Sequence, residues 1–316
     1  MIPGSLQAAI ALGLLATSTA RAQTRPAGPD SLTRRAMALA YLRIELAVRD
    51  RPLTPERTAP TNQVFDRATL AFFGGRYQQV IETLDSLGTA IEGEPAQGPR
   101  HRAEALRALD HPSGERRVLS SPNGEVPYRF YRPKSVGQRP APVIVALHGA
   151  GADETAFLEA YGAGRIRRLA DSLGFIVVTP FTNAMMRAPA NLPLLLDDLA
   201  AHGPIDRKQV YLLGHSLGGG TAWRLAQDQA AVVAAVVCLA GAGSVSATSG
   251  AALPRTLVVG ASVDPVVPPA RLKIAVDQAH AIGWNVVYRE LPDQGHTLMV
   301  GSFLDQAVTW LLSPKP

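Results

Sequence analysis

From about residue 113 onwards, short runs of apolar residues alternate with segments in which apolar positions recur at helical spacing. The apolar runs, rich in Val, Ile and Leu, occupy residues 143–147, 175–179, 210–213, 232–239, 256–259 and 285–290. The helical patterns occupy residues 155–173, 194–201, 217–230, 269–282 and 303–312. Continuous apolar strands that alternate with helices are typical of a mostly parallel sheet with helices on both faces. The pattern therefore predicts an α/β fold over residues 113–316.

The preceding part of the chain shows apolar residues at helical spacing. Helices are predicted over residues 31–48, 64–73, 77–87 and 100–109, with proline and glycine between them. We interpret residues 23–112 as a small all-α region. A hairpin then opens the α/β part, because residues 117–121 and 126–132 flank the turn signal Pro122-Asn123-Gly124-Glu125.

The first residues resemble an export signal. Residues 6–16 form an apolar stretch that is too short to span a bilayer, and Ala20-Arg21-Ala22 has the pattern of a cleavage site. We expect residues 1–22 to be a signal peptide and the protein to be secreted or periplasmic. An uncleaved anchor and a cytoplasmic protein with a disordered start are the alternatives. No other stretch approaches the length of a membrane span, so stable membrane insertion is not expected.

Composition argues against several other classes of protein. The chain of 316 residues is 47% hydrophobic and contains one cysteine, Cys238, which is expected to be a buried thiol of the core. The net charge of +5 comes from scattered arginines without a basic block, and this does not indicate a nucleic-acid partner. Nucleotide-binding glycine motifs and clustered metal ligands are absent from the sequence, so neither a cofactor nor a metal is expected.

The candidate chemistry begins at Gly214-His215-Ser216-Leu217-Gly218, which lies between an apolar run and a helical pattern. A serine with glycine two residues away on each side, at a strand-to-helix turn, is the pattern of a nucleophile elbow. The glycines let the strand and the helix approach each other around a strained serine. The N–H of Leu217 would then point to the place where a substrate oxyanion forms.

A serine nucleophile needs a base, and the base needs an acid that orients it. Asp264 is the first carboxylate after the helix that follows Ser216, and it comes directly after the strand at 256–259. His296 follows the last predicted strand. The carboxyl ends of parallel strands share one edge of a sheet, so we expect the three side chains to meet there. A turn-forming role for Asp264, before Pro265, is the alternative.

The remaining histidines are expected to have other roles. His101, His111 and His202 are predicted to lie on the surface, and His215 is predicted to pack behind the serine turn. His148 is expected to shape the loop 147–154, which follows a buried strand and consists largely of small residues. An N–H group from this loop would complete an oxyanion hole with Leu217. Ala150 is the preferred donor, with Gly149 as its neighbour.

Taken together, residues 113–316 resemble the α/β-hydrolase superfamily, and within it secreted esterases of the feruloyl esterase and polyhydroxyalkanoate depolymerase type. The resemblance is carried by the segments 147–154, 204–220 and 264–268 and by Gly295-His296. The helical region at 23–112 has no counterpart in it. No cap is expected between the sixth and seventh strands, because residues 240–255 form only a short loop of small residues. The site should therefore be open unless the N-terminal helices cover it.

These features predict a serine esterase that cleaves carboxylic esters through an acyl-enzyme. Ser216, Asp264 and His296 are the expected catalytic residues, with a small-molecule or polymer-attached ester as the substrate. A serine peptidase or amidase of prolyl-oligopeptidase-like type and a non-catalytic binding protein on the same fold are the alternatives. The N-terminal helices are expected either to pack on the catalytic region or to bind a partner.

Overall fold

The computed structural model describes residues 28–94, 96–246 and 252–314. The predicted signal peptide at residues 1–22 lies outside these ranges. The described chain begins with four helices: α1 (Ser31–Asp50), α2 (Pro55–Phe73), α3 (Tyr77–Glu92) and α4 (Gln97–Asp110). The side chain of Asp30 caps α1 by accepting the N–H of Thr33 at 2.7 Å, and Gly74 ends α2. The predicted all-helical character of this region is confirmed.

Among the described residues, eight strands form one sheet in the order β1-β2-β4-β3-β5-β6-β7-β8. The strands are β1 (Glu115–Ser121), β2 (Gly124–Tyr131), β3 (Ala141–Leu147), β4 (Ile176–Pro180), β5 (Ile205–His215), β6 (Ala235–Leu239), β7 (Arg255–Ala261) and β8 (Val286–Leu291). Strands β1 and β2 pair antiparallel as the predicted hairpin, β2 is antiparallel to β4, and the other pairs are parallel. The predicted mostly parallel sheet is confirmed.

Helices cover both faces of this sheet. They are α5 (Arg165–Leu173), α6 (Thr182–Arg187), α7 (Asn191–His202), α8 (Leu217–Asp228), α9 (Pro269–Ala281) and α10 (Met299–Leu312). In β3, Val143 and Val145 contribute to a core shared with α7, α8 and α9, whereas Ile144 and Ala146 contribute to a core shared with α5 and α10. Because both faces of the strand are buried, its sequence is apolar without alternation. Cys238 of β6 is buried in the first of these cores, as expected.

Two local predictions are wrong. The single helix predicted over 155–173 is split into a π-helical turn at Ala156–Ala160 and α5, because Gly162, Ala163 and Gly164 all have positive φ angles and cannot continue an α-helix. The expected surface position of His101 is also wrong. Its ring is buried between the carboxylates of Glu92 and Asp50, at 3.2 and 3.1 Å.

The N-terminal helices pack directly against the sheet-containing part of the chain. Ile44, Phe65 and Leu84 form the centre of a helical core that also contains Leu298, which lies just before α10. A smaller core joins α1 and α4 to Ala163. The first of the two expected arrangements, packing on the remainder of the chain, is therefore the one observed. Within the described residues, no helix has the length and apolar character needed to cross a bilayer.

Candidate active site

Ser216 lies on a sharp turn between β5 and α8 and has an unusual backbone conformation. Its φ and ψ angles are 53° and −114°, a combination that costs of order 1–3 kcal/mol for a residue with a side chain. The helix after the turn runs very close to the neighbouring strand: a Cβ atom on Gly218 would overlap the carbonyl oxygen of Leu147. Glycine at 218 thus permits the turn, and the turn places the Ser216 hydroxyl at the carboxyl edge of the sheet.

The side chains of Ser216, His296 and Asp264 form a continuous chain of hydrogen-bond contacts at this edge. The Nε2 atom of His296 lies 2.9 Å from the Oγ atom of Ser216, and its Nδ1 atom lies 2.8 Å from an Asp264 oxygen. The other Asp264 oxygen accepts the N–H groups of Val266 and Val267 at 2.7 and 2.9 Å. His296 is 2% exposed and Asp264 is 5% exposed, so the contacts lie in a medium where water screens them poorly.

The loop after β3 supplies candidate donors for an oxyanion. The N–H of Gly149 already donates to the Tyr161 hydroxyl at 3.3 Å, so it is engaged within the protein. Ala150 is exposed at a cavity that also contains Ser216. Leu217 occupies the first position of α8, where a helix leaves its N–H groups without partners in the helix. The two predicted donors, Ala150 and Leu217, therefore remain candidates, and the N–H of their neighbour Gly149 contacts Tyr161 instead.

His215 lies behind the turn, as predicted, and links three segments. The Tyr161 hydroxyl accepts the N–H of Gly149 and donates to Nδ1 of His215 at 2.9 Å, because the proton of the neutral His215 ring is on Nε2, which faces a carbonyl. The Nε2 group of His215 then donates to the carbonyl of His296 at 2.9 Å. Burial lowers the pKa of His215 to about 3, with the neighbouring His296 ring adding to the effect. The imidazole is therefore neutral, with one nitrogen as acceptor and the other as donor.

His148 shapes the loop after β3, also as predicted. Its Nδ1 group donates to the Gly149 carbonyl at 2.9 Å, and its Nε2 atom accepts the N–H of Thr182 at 3.1 Å. Burial lowers the pKa of His148, which favours the neutral ring that this pair of contacts requires. The contacts connect the candidate oxyanion loop to α6, a helix that the sequence pattern does not reveal.

Asp66 of α2 is a site residue that sequence reasoning missed. Its two carboxylate oxygens lie 3.2 and 3.0 Å from the backbone nitrogen of His296, whose N–H they accept. Burial raises the pKa of Asp66 to about 6; the N–H of His296 opposes this rise, and the Asp264 carboxylate adds to it. Nearby, the Asn62 side chain donates to the carbonyl of Asp293 at 3.2 Å. The loop that carries His296 is thus attached to the N-terminal helices.

Two cavities meet at Ser216. The first, of about 260 Å³, lies between the N-terminal helices and the loop after β3, and we call it the helical cavity. Its walls include Tyr41, Phe65 and Phe72, and it reaches Ser216 and His296. The second, of about 300 Å³, lies over the start of α8. Its walls include Met186, Leu217, Thr221, Arg224, Ala242, Val267 and Arg271.

A scan against protein-family models finds no match, and a search of curated proteins finds none either. Solved structures do match. A thermostable esterase is 24% identical with a TM-score of 0.54, and the match covers 62% of each chain, less than two thirds of that protein. The feruloyl esterase module from Clostridium thermocellum complexed with sinapinate is 14% identical with a TM-score of 0.54, over 64% of this chain and 89% of its own. S-formylglutathione hydrolase from Staphylococcus aureus is 16% identical with a TM-score of 0.51, over 64% and 99%. These similarities confirm the predicted α/β-hydrolase fold.

Proposed function

We propose that this α/β-hydrolase-fold protein is a serine hydrolase that cleaves carboxylic esters through an acyl-enzyme. The observation that carries the proposal is the unbroken contact chain from the Ser216 hydroxyl through His296 to Asp264, with distances of 2.9 and 2.8 Å. In this assignment Ser216 is the nucleophile, His296 is the general base and then the general acid, and Asp264 orients the imidazole. The strained turn at Ser216 supports its interpretation as a nucleophile elbow.

In the first half of the reaction, Ser216 attacks the ester carbonyl. The hydroxyl proton passes to Nε2 of His296 while Oγ bonds to the carbonyl carbon. The carbonyl oxygen becomes an oxyanion, which accepts hydrogen bonds from the N–H groups of Ala150 and Leu217. When the intermediate collapses, the bond to the alkoxy oxygen breaks and His296 returns its proton to that oxygen. An alcohol leaves and the acyl group remains on Ser216.

The second half repeats the same steps with water. His296 removes a proton from a water molecule as the water oxygen bonds to the acyl carbon. The bond to Oγ of Ser216 then breaks, and His296 returns the proton to that oxygen, so that a carboxylic acid is released. The Asp264 carboxylate stabilises the imidazolium that forms in each half. The carboxylate of Asp66, which accepts the backbone N–H of His296, adds negative charge that interacts favourably with a charged His296.

The structural neighbours support ester cleavage in preference to amide cleavage. Their names describe a thermostable esterase, a feruloyl esterase module and an S-formylglutathione hydrolase, the last of which acts on a thioester. Esters and thioesters share an activated carbonyl and a leaving group that needs at most one proton from His296. The proposal therefore takes carboxylic esters as the substrate class.

We also propose that the protein is exported. The apolar stretch at 6–16 and the small-residue pattern at 20–22 support a signal peptide that is cleaved before Gln23. N-terminal sequencing of the protein from the periplasm or medium of an expressing bacterium tests this. Recovery of a mature chain that starts at Gln23 is expected, and an uncleaved chain held in the cytoplasm would contradict export.

Labelling with a fluorophosphonate tests the assignment of Ser216, because only an activated serine reacts rapidly with this reagent. Peptide mapping of the wild type should place the adduct on Ser216, and Ser216→Ala should remain unlabelled. His296→Gln should label far more slowly, since the base is lost. Ser172→Ala is a matched control, because Ser172 is an exposed serine at the end of α5. An adduct that persists in Ser216→Ala would contradict the proposal.

A further inference from the structure

The helical cavity has walls from two distant parts of the chain. The N-terminal helices contribute an apolar wall, and the loops at the carboxyl edge of the sheet contribute the other wall, together with the reacting groups. The side chains that line the cavity from the N-terminal helices include Met37, Tyr41, Phe65, Phe72, Val80 and Leu84. Because the cavity opens directly onto Ser216 and His296, any group that fills it lies next to the bond that the proposed reaction breaks.

The helical wall is in firm contact with the site. The ring of Phe72 occupies the space beside Gly151, where a Cβ atom would overlap it, so the candidate oxyanion loop packs against α2. The ring of Tyr41 packs edge-on against Phe65 and Tyr161, with centroid distances of 5.4 and 6.2 Å. These contacts, with the Asp66 contact to His296, fix the wall relative to the reacting atoms.

The side chains that line the cavity indicate which chemical groups it binds. Aliphatic and aromatic side chains dominate the surface, and the charged side chains of Arg34 and Asp153 are exposed. Glu159 is buried, but its carboxylate is engaged by Arg167 at 3.0 Å and by the N–H of Ser113 at 2.6 Å. An alkyl or aryl group would gain from burial there, whereas a sugar or a charged group would lose hydration and meet few polar side chains, chiefly the hydroxyls of Thr69 and Thr155.

We infer that the N-terminal helices form the substrate-binding wall of the site, and that the substrates are esters with an apolar group on one side of the scissile bond. The inference rests on the proposed function. At about 260 Å³ the cavity has room for roughly eight or nine water-sized groups of ~30 Å³ each. It therefore accommodates a medium alkyl chain or a single aromatic ring and excludes longer chains from full burial.

Two ester series test this inference in the full-length protein. The first contains methyl esters of linear acids from two to ten carbons, and the second contains acetate esters of linear alcohols from one to nine carbons; both are followed by pH-stat titration. Burial of each methylene raises kcat/KM by about fourfold. In at least one series the wild type should prefer the eight-carbon chain to the shortest member by a hundredfold or more, with no further gain beyond the filled cavity.

A cavity-filling variant and a matched control assign the preference to the helical wall. Ala38 of α1 lines the cavity, whereas Ala36 lies on the same helix with similar partial exposure and does not line it. In Ala38→Phe the chain-length preference should fall by at least tenfold relative to the wild type, because the added ring occupies the space of several methylenes and each buried methylene contributes about fourfold. Ala36→Phe should keep the wild-type preference. Thr69→Phe, on α2, is the second filling variant if Ala38→Phe does not fold.

The outcomes separate the two proposals. A wild type without chain-length preference in either series, or filling variants with the wild-type preference, would overturn the role of the helical wall while ester cleavage stands. If the wild type hydrolyses no member of either series and Ser216 resists fluorophosphonate, the proposed function itself fails. A preference that collapses in Ala38→Phe and persists in Ala36→Phe supports the inference.

Discussion

Replacement of Asp66 by asparagine removes one buried charge, and the pKa of Asp66 gives the expected change in the free energy of unfolding. Asp66 is 2% exposed, and burial raises its pKa from 3.8 to about 6. The folded protein therefore binds this proton more tightly than the unfolded chain does. Ionisation of Asp66 lowers the free energy of unfolding as the pH rises from about 4 to 6, in contrast to a paired carboxylate, which stabilises when it ionises.

The pKa difference corresponds to about 3 kcal/mol at pH 7, of which about 2 kcal/mol develops between pH 4 and pH 7. Asparagine resembles the protonated acid in shape and charge, and its oxygen can still accept the N–H of His296. We therefore expect Asp66→Asn to gain about 2 kcal/mol relative to the wild type across that pH range. Urea unfolding at pH 4, 5, 6 and 7, followed by tryptophan fluorescence, measures the difference.

The control is Asp277→Asn, since Asp277 is an exposed aspartate of α9. The free energy of unfolding of Asp277→Asn should differ from that of the wild type by the same amount at every pH. If the difference in the free energy of unfolding between Asp66→Asn and the wild type is also independent of pH, the buried charge assigned to Asp66 is wrong. Activity gives an independent check: the Asp66 carboxylate interacts favourably with a charged His296, so its loss should destabilise the imidazolium formed in the transition state and lower kcat severalfold in Asp66→Asn.

Three further substitutions have defined outcomes. Asp264→Asn should lower kcat by roughly 10⁴-fold without unfolding the protein, because an amide no longer holds the reactive tautomer of His296. Steady-state kinetics measure the loss of activity and circular dichroism measures the fold; a loss below tenfold would contradict the prediction. Tyr161→Phe should cost about 1–3 kcal/mol in urea unfolding, because the acceptor of Gly149 and the donor to His215 are both lost, and unchanged stability would contradict that network. Gly218→Ala should prevent folding or cost several kcal/mol, because its Cβ would overlap backbone; a native melting temperature would contradict the packing of the turn.

The sequence allowed the contact between Ser216, His296 and Asp264 to be predicted because each residue follows a strand that its own composition reveals. The apolar runs before Ser216, Asp264 and His296 became β5, β7 and β8, and parallel strands bring their carboxyl ends to one edge of the sheet. The order of the three residues along the chain then limited the choice of acid and base. Local pattern and a general rule of topology were sufficient for this part of the site.

The contacts of the N-terminal helices could not be predicted in the same way. Asp66 lies 230 residues before His296, and nothing near Asp66 distinguishes it from other helical carboxylates. Likewise, Phe72 has the spacing of an ordinary core residue of α2, although its ring packs against the loop of Gly151. Both contacts depend on how the N-terminal helices pack against the sheet-containing part of the chain. The hydrophobic pattern within either part does not indicate how the two parts pack together.

The N-terminal helices cover one side of the candidate site. The short segment between β6 and β7 indicated an open site unless the N-terminal helices covered it, and α1, α2 and α3 supply one wall of the cavity at Ser216. The same helices hold the loops of Gly151 and His296. In the proposed function, substrate selection and the alignment of Ser216 and His296 would therefore depend on the same helices.

The most direct test of the central claim is the rate of p-nitrophenyl acetate hydrolysis by Ser216→Ala. The account predicts a loss of at least about 10³-fold in kcat relative to the wild type, with circular dichroism and melting temperature retained. Turnover by Ser216→Ala at a rate near that of the wild type would mean that another group performs the chemistry, and the hydrolase assignment of this site would be wrong.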